Sequence, residues 1–139
     1  MAEPDLPLWE LIQTSHVVAR RFTEVFAEAG LTPTQFGVLA ALADEPDLSQ
    51  ADLARIVLVR PQSMTHLITS LLKRGLVHRQ GPGGRGRRAG VQLTAAGRQA
   101  LQATLPGVYA LNAPATIGLD AQAAATLTQH LRTVRTALQ

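Results

Sequence analysis

Between Leu8 and Ala29, apolar residues recur at Leu8, Leu11, Ile12, Val18, Ala19, Phe22, Val25, Phe26 and Ala29. Their spacing of three and four predicts one long amphipathic helix. Pro7 suits its first turn and Gly30 lies just past its end. Thr32-Pro33-Thr34-Gln35 reads as a second helix start, with the hydroxyl at the N-cap, proline in the first turn and glutamine at the third position. That helix carries Phe36, Val38, Leu39 and Leu42 and stops before Pro46. Ser49-Gln50-Ala51-Asp52 repeats the capping-box pattern ahead of a short helix with Leu53, Ile56 and Val57 on its apolar side. The pattern breaks between Leu58 and Arg60. Pro61 then opens a helix running to about Arg74, amphipathic through Met64, Leu67, Ile68, Leu71 and Leu72, with Gly75 as its left-handed stop. Two short helices joined by a tight turn make a helix-turn-helix.

After Gly75 the period shortens. Leu76-Val77-His78-Arg79-Gln80 reads as a strand and Ala89-Gly90-Val91-Gln92-Leu93 as its return. The eight residues between them, Gly81 to Arg88, hold four glycines, Pro82 and three arginines, a composition for an extended hairpin tip and not for a helix. Thr94 is placed to cap a helix over 95–112, which Pro106-Gly107 is expected to kink or interrupt and Pro114 to end. A last helix follows Asp120 as N-cap, and its Ala124, Leu127, Leu131, Val134 and Leu138 form a narrow seam suited to another helix. With no repeat and no linker, residues 1–139 read as one domain: a lobe at 32–94 flanked by helical segments at 7–30 and 95–139.

Composition agrees with a mainly α fold carrying a small β-hairpin wing, since 46% of the chain is apolar and only 4% aromatic. The chain has no cysteine, so disulfides, thiolate metal sites and thiol redox sensing are excluded. Glu3 and Asp5 make an acidic start unlike a signal peptide, and no apolar run reaches the ~20 residues of a membrane span. A cytoplasmic protein with no membrane partner is expected. His16, His66, His78 and His130 are scattered without an i, i+4 pair, so no metal site is predicted. No nucleophile elbow occurs, and no lysine-bearing helix start follows the glycines, so neither an enzyme nor a cofactor is expected.

Charge changes the picture through its distribution. The net charge is only +3, yet residues 53–119 hold nine basic residues and no acid. That is an electrostatic footprint for phosphate, and double-stranded DNA is the expected partner. The exposed side of the second helix near its start would face base edges through Arg60, Gln62, Ser63, Thr65, His66 and Thr69. Arg85, Arg87 and Arg88 at the hairpin tip could enter a minor groove.

Three segments, LTPTQFGVLAAL, LSQADLARIVLVRPQSMTHLITSLLKRGLVHR and RRAGVQLTAAGRQAL, resemble the MarR family of bacterial regulators from Leu31 to Leu101, about half the chain. The pairing of Lys73-Arg74-Gly75-Leu76-Val77 with Leu93-Thr94-Ala95-Ala96-Gly97 is its most specific part. The resemblance implies a winged helix-turn-helix with N- and C-terminal dimerisation helices, a homodimer, a recognition helix at 61–74 and a wing at 77–94. It also implies pseudo-palindromic operators and relief of repression by a small molecule lodged between the dimerisation helices and the DNA-binding lobe. Trp9, His16 and Arg20 on the first helix are the candidates to meet a small aromatic or anionic effector there. One departure stands out. The family places an aspartate two residues before a wing arginine, and matching that arginine to Arg88 puts Gly86 at the acid's position. A wing that discriminates sequence less sharply, with Arg85 and Arg87 sharing the work, is expected. The function anticipated is a sequence-specific repressor. The alternatives are a protein-interaction module that kept the winged fold and a constitutive regulator without ligand.

Overall fold

The structure, a computed structural model, describes residues 4–79 and 90–139. Its elements in chain order are α1 (Pro7–Glu28), α2 (Pro33–Asp44), α3 (Gln50–Val57), α4 (Pro61–Lys73), β1 (Val77–Arg79), β2 (Val91–Leu93), α5 (Ala95–Asn112) and α6 (Ala121–Ala137). They fall into two compact units that divide between Leu105 and Pro106, with α5 contributing to both.

In the first unit the two anticipated capping boxes, at the starts of α2 and α3, are both formed. Thr32 Oγ1 accepts from the Gln35 backbone N–H at 3.2 Å, and the Gln35 side chain accepts from the Thr32 N–H at 3.0 Å. Ser49 and Asp52 repeat this reciprocal pair at 3.0 and 3.1 Å. Each box satisfies two N–H groups that a helix start would otherwise leave without acceptors. The chain turns by 74° between α1 and α2, a corner filled by aromatic rings. Phe26 stacks on Phe22 at 5.6 Å and on Phe36 at 4.4 Å between ring centroids. Beyond the corner, Val38, Leu39, Leu53, Met64, Ile68 and Leu71 form the fully buried centre, one face each of α2, α3 and α4.

The turn between α3 and α4 is made by Leu58 at φ 59°, ψ 45°. Its N–H and that of Val59 both donate to the Ala54 carbonyl, which closes α3. This left-handed position favours glycine because a Cβ crowds the backbone there. Leu58 gains no packing in return, for it is 89% exposed.

The sheet is a two-stranded antiparallel hairpin with Val77 opposite Leu93, His78 opposite Gln92 and Arg79 opposite Val91. Alternation sends Val77, Val91 and Leu93 inward. The hairpin root is fastened to α5. Thr94 Oγ1 donates to the Gly75 carbonyl at 2.6 Å and accepts from the Gly97 N–H at 3.0 Å, while the Thr94 N–H donates to the Leu76 carbonyl at 3.1 Å. Gly97 lies so close to that carbonyl that a Cβ there would sit 2.1 Å from the Leu76 oxygen.

Pro106 lies inside α5, and the helix is not interrupted there. Its ring removes one i→i−4 bond, a loss that intact turns on either side can absorb. The second unit comprises the end of α5, a turn and α6, whose start is capped by Asp120 accepting from the Ala123 N–H at 2.7 Å. No residue of α6 is buried.

Two substitutions test these local constraints by urea denaturation. Gly97→Ala forces a methyl against a backbone oxygen and should lower stability by about 2–3 kcal/mol. Leu58→Gly relieves the left-handed turn and should raise stability by about 1 kcal/mol.

Candidate nucleic-acid interface

The surface of interest is built on α4. Met64, Ile68 and Leu71 are buried on one side of this helix. The opposite side carries Gln62, Thr65, His66 and Thr69, spaced three, four and seven residues from Gln62 and so aligned on one stripe. All four are exposed, as are Ser63 and Arg60, the latter at the N-cap. The six helix residues singled out from sequence are thus all exposed along one element, from its N-cap at Arg60 to Thr69.

The chemistry of that end is open. Unlike α2 and α3, α4 has no side chain bonded at its N-cap, and proline occupies its first turn. The Gln62 and Ser63 N–H groups are thus left for an acceptor outside the helix. Thr69 Oγ1 donates to the Thr65 carbonyl at 2.9 Å, which turns its lone pairs outward as acceptors. Gln62 offers both donor and acceptor, the combination that pairs bidentately with adenine, and Arg60 offers the fork that pairs with guanine. Among the described residues of 53–119 there is no carboxylate to oppose a phosphate. At the edge of that range, Asp52 pairs with Arg55 on the exposed flank of α3.

Arg85, Arg87, Arg88 and the Gly86 departure lie outside the described residues. The described root of the hairpin adds exposed His78 and Arg79, and Lys73 and Arg98 are exposed on α4 and α5. Sequence reading had counted these four only as charge or as strand and helix members. The exposure of His78 follows from the alternation of β1, whereas Arg79 is exposed although it shares a face with inward Val77, and Lys73 and Arg98 lie on helix faces that only the tertiary fold defines.

Trp9, His16 and Arg20 stand seven and four residues apart on α1, which places them on one stripe, and all three are exposed. A groove of about 720 Å³ opens between α2, α3 and α5. Ala41, Leu48, Ile56, Leu101 and Leu105 supply its apolar walls, Asp44 and Glu45 are its charged members, and none of the three α1 residues lines it. Among the described residues no three histidines or carboxylates gather as a metal-binding set. No single helix among them is long and apolar enough to cross a membrane.

Comparison with known proteins fits this geometry. Residues 29–88 match the model of the MarR family. The chain is 32% identical over 89 residues to the HTH-type transcriptional regulator FarR of Neisseria gonorrhoeae, a match covering 64% of this chain and 61% of FarR, so it spans a little under two thirds of that relative. It is 36% identical over 95 residues to the HTH-type transcriptional repressor Rv2887 of Mycobacterium tuberculosis, covering 68% of each. The crystal structure of Rv2887 with salicylic acid superposes with a TM-score of 0.76 at 28% identity, over 96% of this chain and 99% of that one. The Rv2887 complex with DNA gives 0.77 at 26% identity, over 94% and 98%. With its capped helix-turn-helix, its hairpin root and these relatives, the chain belongs to the MarR family of winged-helix transcriptional regulators.

Proposed function

We propose that this protein is a homodimeric, sequence-specific repressor that binds pseudo-palindromic DNA operators in the cytoplasm and is released by a small molecule. The observation that carries the proposal is the division of α4, with Met64, Ile68 and Leu71 held in the core while Arg60, Gln62, Ser63, Thr65, His66 and Thr69 stand exposed from its N-cap onward. An α-helix fits the major groove, and residues at the start of the second helix are those that reach base edges. In this reading Arg85, Arg87 and Arg88 add contacts from the wing. The relative Rv2887 has been crystallised on DNA, which supports the same partner here.

Dimerisation is supported by the outer segments, 7–30 and 95–139. Leu8, Leu11, Ile12 and Val18 are exposed on α1, and in the second unit Leu127 is exposed on α6 and Leu138 at its C-cap, apolar side chains that a second copy would cover. Two copies related by a twofold axis would place their α4 helices in successive major grooves, with half-sites ~10 bp apart. The effector is the finest part of the proposal. Rv2887 has been crystallised with salicylic acid, and an aromatic acid here would meet the Arg20 cation and the Trp9 ring.

Selection of bound sequences from a random DNA pool at moderate salt tests the reading. An inverted repeat with half-sites about one helical turn apart is expected. A chain that enriches no repeat is not an operator-binding repressor. Affinity for the enriched site should fall steeply with salt, by about 0.9 log units per decade for each phosphate contacted. Gln62→Ala should weaken binding to that site by about 10- to 100-fold and relax the preference at one base position, as expected for a lost bidentate contact worth ~1–3 kcal/mol. A uniform loss over all sequences would instead place Gln62 on the backbone.

A further inference from the structure

Gln35 does more than close the capping box at the start of α2. Its backbone N–H and its side-chain Oε1 are both engaged by Thr32, which fixes the side chain's direction. The same Oε1 accepts a second hydrogen bond from Arg74 Nη1 at 3.1 Å, and Nε2 donates to Ser70 Oγ at 3.2 Å. Exchanging the amide's two ends would set its NH₂ against two donors, so this network admits one orientation. The guanidinium of Arg74 also rests against the turn between α1 and α2, with Nη2 3.4 Å from the position a Cβ on Gly30 would take. One amide, only 8% exposed, therefore ties the α1–α2 corner, the start of α2 and the last turn of α4 together.

Ser70 and Arg74 lie toward the carboxyl end of α4, past Thr69 and far from Gln62, where the reading stripe begins. Ser70 is eight residues beyond Gln62, ~12 Å along the axis at 1.5 Å per residue. About that length, a swing of ~10° moves Gln62 by ~2 Å, several times the ~0.5 Å window within which a hydrogen bond keeps its geometry. Met64, Ile68 and Leu71 keep α4 in the core, but apolar contact is non-directional and tolerates small rolls and slides. Hydrogen bonds at the carboxyl end are directional, and they fix the angle that apolar packing leaves free.

We infer that Gln35 is a positioning residue for the reading helix, setting the aim of α4 through Ser70 and Arg74 and so setting sequence discrimination without touching DNA. The inference rests on the DNA-binding reading above.

The test uses the full chain, an operator selected with the unaltered protein and a scrambled duplex of equal length. Anisotropy titrations at two salt concentrations give the ratio of the two affinities and the salt slope, and thermal melting reports folding. Gln35→Leu removes every hydrogen bond that the Gln35 side chain makes, and Ser70→Ala removes only the one to Ser70, leaving the bond to Arg74. Both should reduce the affinity ratio at least tenfold with the salt slope unchanged, because the phosphate contacts are kept. Gln35→Glu retains the acceptor for Thr32 and Arg74 and can accept from the Ser70 hydroxyl, so its ratio should stay within threefold of the unaltered chain. Should Gln35→Leu fail to fold, Ser70→Ala against Gln35→Glu decides. Ratios within twofold of the unaltered chain for Ser70→Ala overturn the inference. Equal losses on both duplexes overturn it too, since they would mark a purely structural residue. If the unaltered chain enriches no sequence, the DNA reading itself fails and this inference falls with it.

Discussion

The approach of Gly97 to the Leu76 carbonyl is the constraint around which the winged lobe is arranged. That oxygen accepts from Thr94 and at the same time abuts the first turn of α5, a position any side chain would fill. Thr94 completes the clasp by reaching the Gly75 carbonyl and capping α5 with one hydroxyl. The end of α4, the root of the hairpin and the start of α5 thus meet within a few residues. Glycine is demanded twice, at Gly75 for its left-handed backbone and at Gly97 for its missing Cβ. The hairpin leaves the lobe in the direction this clasp dictates.

The clasp also accounts for the specific part of the family resemblance. Lys73-Arg74-Gly75-Leu76-Val77 and Leu93-Thr94-Ala95-Ala96-Gly97 are separate in sequence and are one piece of structure. Much else was legible because it is local. Thr32, Ser49, Thr94 and Asp120 each sit where a short side chain can reach its own helix, and each does so. The inward residues Val77, Val91 and Leu93 follow from alternation, although Leu76 and Gly90, expected within the strands, lie outside them. Pro106 was read as a threat to α5, yet the helix continues, because neighbouring turns can compensate for one missing bond.

What could not be read depends on distance along the chain or on backbone angle. Gln35 looked complete as a capping residue, and nothing near it in sequence announces partners thirty-five and thirty-nine residues away. Leu58 carries no glycine signature, so nothing in its residue type marks the left-handed turn it forms between α3 and α4. The stripe of Gln62, Thr65, His66 and Thr69 was legible by period, whereas the exposure of Lys73, Arg79 and Arg98 was not, because no repeating pattern marks a lone cation as outward. A reader of DNA made this way separates its tasks. In the proposed reading the apolar side of α4 holds the helix, the carboxyl end aims it, and the exposed residues from Arg60 onward are left for contact.

One property of α1 reaches beyond recognition. Of its twenty-two residues only Phe26, in the last turn, is buried. An isolated helix gains little from propensity alone, and most helical stability in proteins comes from packing an apolar face. The earlier turns of α1 therefore draw almost nothing from the core of their own chain. If a second copy covers Leu8, Leu11, Ile12 and Val18, as proposed above, ordering this helix and assembling the protein become a single equilibrium governed by mass action. The melting temperature then rises with protein concentration. The cellular level of such a regulator sets both how many molecules are present and what fraction of each is folded, so dilution silences it more sharply than proportion would suggest.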